Sequence, residues 1–253
     1  MSDEETKDAP IGIFTALAWE GAAVRSVLRQ VKRIEPHVWH GSTGRKNVLI
    51  VTGGIGPRRT RETLARFSTT PLSALVSVGC AGALVPGLFT GHLVLAAKVH
   101  LQPTKDNERL EHYSVDASLL ECMRTAAVRV HVPQAEGALF TSPQILFTPE
   151  EKARQGQRTG AIAVEMESGV HAAFAEERGL PFLVLRVILD GVDLTIPAVA
   201  GLTTPEGEVR YVKAVTYLAT HPHQLPALLA IKRAREAATQ SIARICRELF
   251  AQW

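Results

Sequence analysis

The stretch AIAVEMESGVHAA, residues 161–173, changes from a strand pattern to a helix pattern within a few residues. It begins as a short apolar run, places Glu165 and Glu167 on either side of Met166, and then resumes apolar residues at helical spacing. A strand that leads directly into a helix is the repeating unit of α/β folds. The acids stand where the strand ends, and ligands bind beyond the carboxyl ends of strands in such sheets.

Similar apolar, β-branched runs recur along the chain, and helix-period segments separate several of them. This alternation predicts an α/β sandwich, in which a mostly parallel sheet is covered by helices on both faces. The predicted strands cover residues 11–17, 48–52, 74–79, 92–99, 161–166 and 182–189, and the predicted helices cover residues 19–33, 57–68, 116–130 and 168–179.

Length and composition indicate one globular domain. The chain has 253 residues, of which 46% are hydrophobic and 21% are charged, and this is enough for one large core. We expect residues 1–10 to be disordered and residues 11–253 to form a single domain. From about residue 194 the composition changes to a Pro/Gly-punctuated insertion, and helices are predicted from about Val209 and over 224–250.

Charge balance and cysteine usage argue against several classes of function. Lys plus Arg outnumber Asp plus Glu only by 28 to 25, so we expect no nucleic-acid partner. Cys80, Cys122 and Cys246 are far apart and form no CxxC motif, which indicates free thiols and no zinc site. The acidic N-terminus does not have the pattern of a signal peptide, and no run reaches the ~20 apolar residues of a membrane-spanning helix. We therefore expect a cytoplasmic protein without a metal.

Polar and small residues also follow other apolar runs, as Glu165 and Glu167 do. Each has an ordinary explanation: an acid in a first helical turn, a cap, a tight turn, or close packing. Three separate strands nevertheless end in acids, and uncompensated buried carboxylates cost several kcal/mol, so a shared polar ligand explains the set better. The residues collected in this way are Glu20, Gly54, Gly56, Cys80, Ala81, Gly82 and Asp190.

Two common site types are not indicated. The GGIG turn fails the dinucleotide fingerprint because Arg59 stands where the third glycine is required, which argues against NAD binding. There is no GxSxG elbow, so serine hydrolase chemistry is not expected either.

The motifs IGIFTALAWE, VTGGIG, VGCAGAL, AIAVEMES and LRVILDGVD, in this order, resemble the purine nucleoside phosphorylase and methylthioadenosine/S-adenosylhomocysteine nucleosidase superfamily. The likeness runs from Ile11 to about Asp193, and VEME is its most specific part. It implies a mixed, partly barrel-like central sheet ringed by helices, and cleavage of an N-glycosidic bond to a purine. It also implies a homo-oligomer and no cofactor, with phosphate needed only by a phosphorylase.

The resemblance assigns roles to the acids. It implies that Glu167 binds the ribose hydroxyls while Met166 packs against the sugar, and that Glu165 has a supporting role. Asp190 matches the acid that protonates or hydrogen-bonds purine N7. Glu20 matches the residue that activates water in the nucleosidases.

Further residues are implied to line the substrate. The backbone of Ile145 and Leu146 matches the segment that contacts the purine edge, and the Cys80, Ala81 and Gly82 turn lies near the sugar. Two departures stand out in this set. Leu189 replaces the usual Ser before the acid, and Cys80 replaces a common Ser.

Hydrolysis and phosphorolysis are both compatible with the superfamily. Its phosphorylases use an arginine shortly before the glycine-rich turn, where this chain has Ser77. Gly54, Gly56 and Arg58 remain candidates for a phosphate or water site. The presence of Glu20 without that arginine favours a nucleosidase.

The C-terminal layout, from VDLTIPAVAGLTTPEGEV onward, is similar to proteins called hopanoid-associated phosphorylases, which release adenine from adenosylhopane. This implies a lipid-linked nucleoside substrate and peripheral contact with the inner face of the membrane. The alternative for the tail is an ordinary amphipathic helix packed on the sheet. The alternative functions are a methylthioadenosine/S-adenosylhomocysteine nucleosidase, a phosphate-dependent phosphorylase, and a nucleoside-binding protein without catalytic activity.

Overall fold

The computed structural model describes residues 9–106, 109–195 and 225–253. The expectations for residues 1–8, for most of the insertion after residue 194 and for the helix from about Val209 lie outside these ranges.

The strands of the described residues belong to one mixed sheet. They are β1 (Ile11–Thr15), β2 (Arg29–Glu35), β3 (Val38–Ser42), β4 (Asn47–Thr52), β5 (Ala74–Ala83), β6 (Leu93–Leu95), β7 (Lys98–Leu101), β8 (Glu111–Ser114), β9 (Gln134–Glu136), β10 (Ala138–Thr141), β11 (Ala161–Glu165) and β12 (Phe182–Asp190). The helices are α1 (Ala18–Arg25), α2 (Pro57–Arg66), α3 (Ala117–Arg129), α4 (Pro149–Thr159), α5 (Ser168–Glu177) and α6 (Leu225–Gln252).

The long strand β5 is the point at which the sheet branches. It pairs in parallel with β1 and with β12, and its last residues pair antiparallel with β11. Because β12 continues to β6, the sheet departs from a simple open layer, as the partly barrel-like expectation required. The carboxyl ends of β1, β4, β5 and β12 consequently lie at one edge of the sheet, and β11 adds its own end beside them.

The helices pack against the sheet and against one another. Helix α6 contacts α1, α3 and β12, whereas α2 contacts α5, which itself packs on β5 and β12. Helix α6 is attached through fully buried residues that include Ile242, Ile245 and Leu249. This part of the tail is therefore an amphipathic helix packed on the fold. Within the described ranges, no helix combines the length and the apolar character needed to cross a membrane.

Two predicted elements were wrong in extent. The helix predicted over residues 19–33 ends at Arg25, and residues 29–35 form the edge strand β2 instead. All residues of β2 are exposed, so the segment RQVKRIE lacks the apolar alternation that reveals a half-buried strand. The strand predicted over residues 92–99 is divided into β6 and β7, which pair with different partners.

Candidate active site

The acids predicted from separate strand ends meet around the thiol of Cys80, at the carboxyl-terminal part of β5. Burial raises the pKa of Cys80 well above its usual value, and the charges of Glu20, Asp190 and Glu167 raise it further, while Arg186 opposes them. Contacts support this arrangement, because Glu20 binds the amide of Cys80 and Asp190 lies against Gly82 of the same strand. The fold therefore brings the predicted acids together near Cys80.

Glu20 has three of its acceptor positions filled by backbone amides. Its Oε2 atom accepts hydrogen bonds from Ala16 N at 3.1 Å and Leu17 N at 2.9 Å, which caps the start of α1. Its Oε1 atom accepts from Cys80 N at 2.9 Å, which ties α1 to β5. Burial raises the pKa of Glu20, although Arg186 and these amides counteract the shift. A carboxylate has about four acceptor positions, so one remains for a ligand or water.

Two glycines of β5 let the acids approach the strand closely. A methyl group added at Gly79 would lie 2.9 Å from Oε1 of Glu20, and one added at Gly82 would lie 2.9 Å from Oδ2 of Asp190. Contacts this short are closer than a side chain tolerates. Small residues are thus required at these two places by the packing of the acids.

Within the described residues, the side chain of Glu167 accepts one hydrogen bond. Its Oε1 atom accepts a hydrogen bond from Gly56 N at 2.8 Å, across from the turn after β4. Burial raises the pKa of Glu167 to about 8, and the neighbouring Glu165 adds to the shift while Arg186 opposes it. Met166 lies against the same turn, with its methyl carbon 3.7 Å from where a Cβ of Gly56 would be. A carboxylate and a thioether side chain therefore flank this turn.

Glu165 is fully engaged by the protein. Its Oε1 atom accepts from the Thr141 hydroxyl, and its Oε2 atom accepts from Glu167 N at 2.9 Å and Ser168 N at 2.7 Å. Arg186 completes the set, with Nη2 at 2.8 Å from Oε2. Burial disfavours this carboxylate, but Arg186 and the other donors outweigh it, so the pKa of Glu165 lies below its usual value. The geometry fits a supporting role for Glu165.

Arg186 is the buried cation of the site, and sequence reasoning missed it. It lies on β12 with 2% of its side chain exposed. Besides its bond to Glu165, Nη2 donates to the Ser77 hydroxyl at 2.9 Å. The segment LVSVGCAG contains no arginine, but Arg186 of the neighbouring strand β12 places its guanidinium beside Ser77. A lone charge inside the apolar run FLVLRVIL was the available signal, because a buried charge needs a partner.

The polar network continues from Arg186 to His171 on α5. The Nδ1 atom of His171 lies 2.9 Å from the Ser77 hydroxyl. Because Arg186 already donates to that hydroxyl, Ser77 donates its own hydrogen to Nδ1. Burial, followed by the charge of Arg186, lowers the pKa of His171 to about 3, so this imidazole is neutral at physiological pH.

Asp190 is paired with a second buried cation, Lys152 of α4, which sequence reasoning also missed. Lys152 Nζ lies 2.6 Å from Oδ2 of Asp190, and it also donates to the carbonyl oxygens of Gly191 and Leu194, each at 2.9 Å. Burial raises the pKa of Asp190, although Lys152 counteracts the shift. The segment PEEKARQ reads as a polar surface helix and gives no signal for this pairing.

The turn GGIG has its glycine amides committed to the protein. Gly53 N donates to Thr15 O at 2.9 Å, and Gly54 N donates to Ala16 O at 3.0 Å. Gly56 N donates to Glu167, as described above. Arg58 does not join the acids, because its side chain is 77% exposed and pairs with Glu62 one helical turn away. Arg58 is therefore paired away from the acids in this structure, and its place in a phosphate or water site stays a prediction.

The remaining predicted residues lie around the cleft. The side chain of Leu146 is buried in a small apolar cluster, while Ile145 is 40% exposed in the loop that follows β10. Leu189 is partly buried directly before Asp190. Among the residues that the structure describes, no group of three or more His, Cys, Asp or Glu side chains could hold a metal ion.

The sequence of this chain is similar to proteins of a known family. A family model described as "Phosphorylase superfamily" matches residues 10–215. A 5′-methylthioadenosine/S-adenosylhomocysteine nucleosidase of Mycobacterium bovis is 25% identical over 221 residues, covering 71% of this chain and 85% of that protein.

Solved structures with the same fold extend along almost the whole chain. Futalosine hydrolase of Helicobacter pylori superimposes with a TM-score of 0.74 at 19% identity, covering 98% of this chain and 99% of that one. The 5′-methylthioadenosine/S-adenosylhomocysteine nucleosidase of Neisseria meningitidis, in complex with methylthio-immucillin-A, gives 0.75 at 17% identity, covering 96% and 99%. These likenesses confirm the predicted fold class. Since the family model matches well over half of the sequence, the chain belongs to the phosphorylase superfamily.

Proposed function

We propose that this protein is a purine nucleosidase, which hydrolyses the N-glycosidic bond of an adenosine-type nucleoside and releases adenine. The observation that carries the proposal is the meeting of Glu20, Glu167 and Asp190 near Cys80, each with acceptor positions that the described residues do not fill. The names of the similar proteins, which are nucleosidases and a futalosine hydrolase, support the same reaction class.

The three acids can divide the reaction between them. Protonated Asp190 gives its proton to N7 of the purine as the bond between C1′ and N9 breaks and its electron pair moves to the base. Glu167 accepts hydrogen bonds from the vicinal ribose hydroxyls and stabilises the positive charge that develops on the sugar. Glu20 takes a proton from water as the water oxygen bonds to C1′. Adenine and a free sugar are the products.

The reaction leaves Glu20 protonated and Asp190 ionised, so one proton must return through solvent before the next turnover. Burial raises the pKa of both groups, which brings a base and an acid closer to neutral pH than exposed carboxylates would be. The rate should rise with pH as Glu20 and Glu167 ionise, the latter with a pKa of about 8, and fall as Asp190 loses its proton.

Hydrolysis is favoured over phosphorolysis by the state of the donors in the cleft. The amides of Gly53, Gly54 and Gly56 already donate to protein acceptors, and Arg58 points to solvent. Arg186 is neutralised by Glu165. A phosphate dianion needs free donors or uncompensated positive charge, whereas a single water needs only the remaining acceptor position of Glu20.

The substrate we propose is adenosylhopane, which would be converted to ribosylhopane in hopanoid biosynthesis. The support is the resemblance of the segment from about residue 194 to hopanoid-associated phosphorylases. Two exposed apolar side chains, Ile145 and Leu194, lie in the segments that follow β10 and β12. A cytoplasmic location, peripheral contact with the membrane and a homo-oligomeric state belong to the same proposal.

The test is to incubate the protein with adenosine, methylthioadenosine, S-adenosylhomocysteine and adenosine carrying a long apolar 5′ substituent, with and without phosphate. We expect adenine and a free ribose-type sugar in every case, and the highest kcat/KM for the apolar substituent. Burial of apolar area contributes about 25 cal/mol per Å², enough to dominate selectivity. Removal of residues 196–224, which keeps Leu194 and α6, should abolish the preference and spare the cleavage of adenosine.

Other outcomes identify the alternatives. A ribose 1-phosphate product formed only with phosphate would identify a phosphorylase. A preference for methylthioadenosine or S-adenosylhomocysteine would return the protein to the general nucleosidases. Tight nucleoside binding without any release of adenine would leave a binding protein.

A further inference from the structure

The ammonium group of Lys152 is placed where its energetic cost is high. Lys152 lies in the second turn from the N-terminus of α4, next to the positive end of the helix dipole, and its side chain is 1% exposed. A cation there is disfavoured by the dipole and by desolvation. Apolar residues at both places of a buried ion pair are often at least as stabilising as the pair itself. Stability alone therefore gives no reason for a lysine at this position.

The contacts of Lys152 are specific to a charged ammonium. Its three N–H groups are matched by three acceptors: Oδ2 of Asp190 and the carbonyl oxygens of Gly191 and Leu194. A neutral amine has only two hydrogens and would leave one of these acceptors without a donor. The same three bonds fix the end of β12, the following loop and the acid relative to α4.

The pairing leaves the other oxygen of Asp190 available. Oδ2 is enclosed between Lys152 and the backbone of Gly82. Within the described part of the chain, no residue donates a hydrogen bond to Oδ1, and the Asp190 side chain is 13% exposed. The preceding residue is Leu189, which has no hydroxyl to orient the acid. Lys152 is thus the side chain that sets the direction of Oδ1.

We propose that Lys152 is a positioning residue for Asp190: it holds Oδ2, directs Oδ1 toward the purine, and stabilises the carboxylate that forms when the acid gives its proton to N7. This inference rests on the proposed function, because it assigns the acid a purine as its partner. The ammonium interacts more strongly with ionised Asp190 than with the protonated acid. Its contribution therefore grows as the proton leaves, which is the condition for accelerating a step.

Other ionisable groups lie near the pair of Lys152 and Asp190. Cys80 lies on β5, and the charges of Asp190, Glu20 and Glu167 all act on its thiol. Asp193 lies in the loop beside Gly191.

On α4 itself, three charged residues are close in sequence to Lys152. Glu151 is engaged with the amides of Phe147 and Thr148, and Glu150 and Arg154 are exposed. Lys152 is the cation that acts directly on the pKa of Asp190.

The experiment replaces Lys152 by Met and follows adenine release from adenosine across pH. We expect kcat to fall roughly 10- to 100-fold with KM changed by less than about threefold, since misdirection of one reacting group has effects of this order. Without the ammonium, Asp190 should keep its proton to higher pH. The alkaline limb of the plot of kcat against pH should therefore shift to higher pH. Lys98→Met, at an exposed lysine of β7, is the control and should leave both kcat and the profile unchanged.

The same substitution in Asp190→Asn protein tests whether Lys152 acts on kcat through Asp190. In Asp190→Asn protein, adding Lys152→Met should change kcat by less than about twofold, because the lysine acts through the acid. Equal losses in both backgrounds, or an unmoved alkaline limb, would overturn the proposal. If Lys152→Met does not fold, Lys152→Gln keeps two donors without the charge and should show the same shift of the limb.

A third measurement does not depend on turnover. A ¹³C NMR titration of the Asp190 carboxyl, assigned by its loss in Asp190→Asn, should show an upward shift of its pKa in Lys152→Met. If wild-type protein neither releases nor binds adenine, the proposed function fails while this titration still decides whether Lys152 controls Asp190. An unchanged titration would remove Lys152 from that role.

Discussion

Glu165 and Glu167 stand two residues apart at the end of β11, both are buried, and the protein engages them in opposite ways. Glu165 accepts from Thr141, Arg186 and two backbone amides, so its acceptor positions are filled. Glu167 accepts from the amide of Gly56 within the described residues. The difference shows that the role of a buried acid follows from how much of its acceptor capacity the fold already uses, and that neighbouring acids in one motif need not share a task.

The same contrast applies to the two buried cations. Arg186 binds Glu165, whose acceptor positions are all used, and forms a closed network with Ser77 and His171. Lys152 binds Asp190, whose Oδ1 atom accepts no hydrogen bond from the described residues. Breaking the closed network should therefore change stability, whereas breaking the open sites should change turnover.

The largest expected effect is at the open acid Glu20. Glu20→Gln should abolish turnover, a loss of roughly 10⁴-fold or more, because an amide can hydrogen-bond water but cannot accept its proton. Calorimetric binding of the nucleoside should remain close to that of the wild type. Glu62→Gln, at an exposed acid of α2, is the matched control. Near-normal turnover of Glu20→Gln would remove this residue from the mechanism.

Asp190→Asn tests the second open acid. Loss of a positioned acid for the leaving group should lower kcat by roughly 10²- to 10⁴-fold. The measurement is steady-state adenine release at the pH optimum. A loss smaller than about tenfold, well below that range, would show that N7 is activated by another group.

Arg186→Met tests the closed network. Removing the cation leaves Glu165 buried without its partner, and such changes lower the free energy of unfolding by about 3–5 kcal/mol. Urea denaturation measures the loss. The double variant Glu165→Met/Arg186→Met should recover much of it, because no uncompensated charge remains. If the single variant is as stable as the wild type, the network does not hold the fold together.

The smallest expected effect near neutral pH is a pH dependence of stability due to His171. Its folded-state pKa is about 3, below the ordinary value of 6.5, so the unfolded chain binds the proton more tightly. Its destabilising effect is absent above pH 6.5 and grows as the pH falls toward 3, by at most about 1.4 kcal/mol per pH unit. In His171→Asn this component should vanish, as urea denaturation at several pH values would show. An identical pH dependence in both proteins would contradict the assignment.

Sequence patterns predicted the parts of the fold that bury apolar surface. The central runs became β1, β4, β5, β11 and β12, because continuous apolar segments indicate strands covered on both faces. The exposed strand β2 was not predicted, because all of its residues are exposed and its sequence shows no alternation between a buried and an exposed face. Strand order and the branch at β5 depend on long-range pairing, which no local pattern records.

The site was predictable to the extent that it lies at strand ends. The meeting of Glu20, Glu167 and Asp190 around Cys80 followed from the rule that strand ends share an edge. The cations did not follow. Arg186 left the signal of a charge in an apolar strand, but Lys152 lies in a polar helix far away in sequence, and only the tertiary fold brings it under Asp190.

The absence of side chains at Gly79 and Gly82 has a consequence for recognising active relatives. Glu20 and Asp190, the proposed catalytic acids, each lie against a place on β5 where an added Cβ would be 2.9 Å from a carboxylate oxygen, so in the proposed mechanism their positions depend on residues without a side chain. A relative that keeps all three acids but has a larger residue at either place should retain the fold and bind substrate poorly or without cleavage. The sequence signature of the proposed site therefore includes the glycines at positions 79 and 82. A homologue search based only on the acids would count inactive proteins among the enzymes.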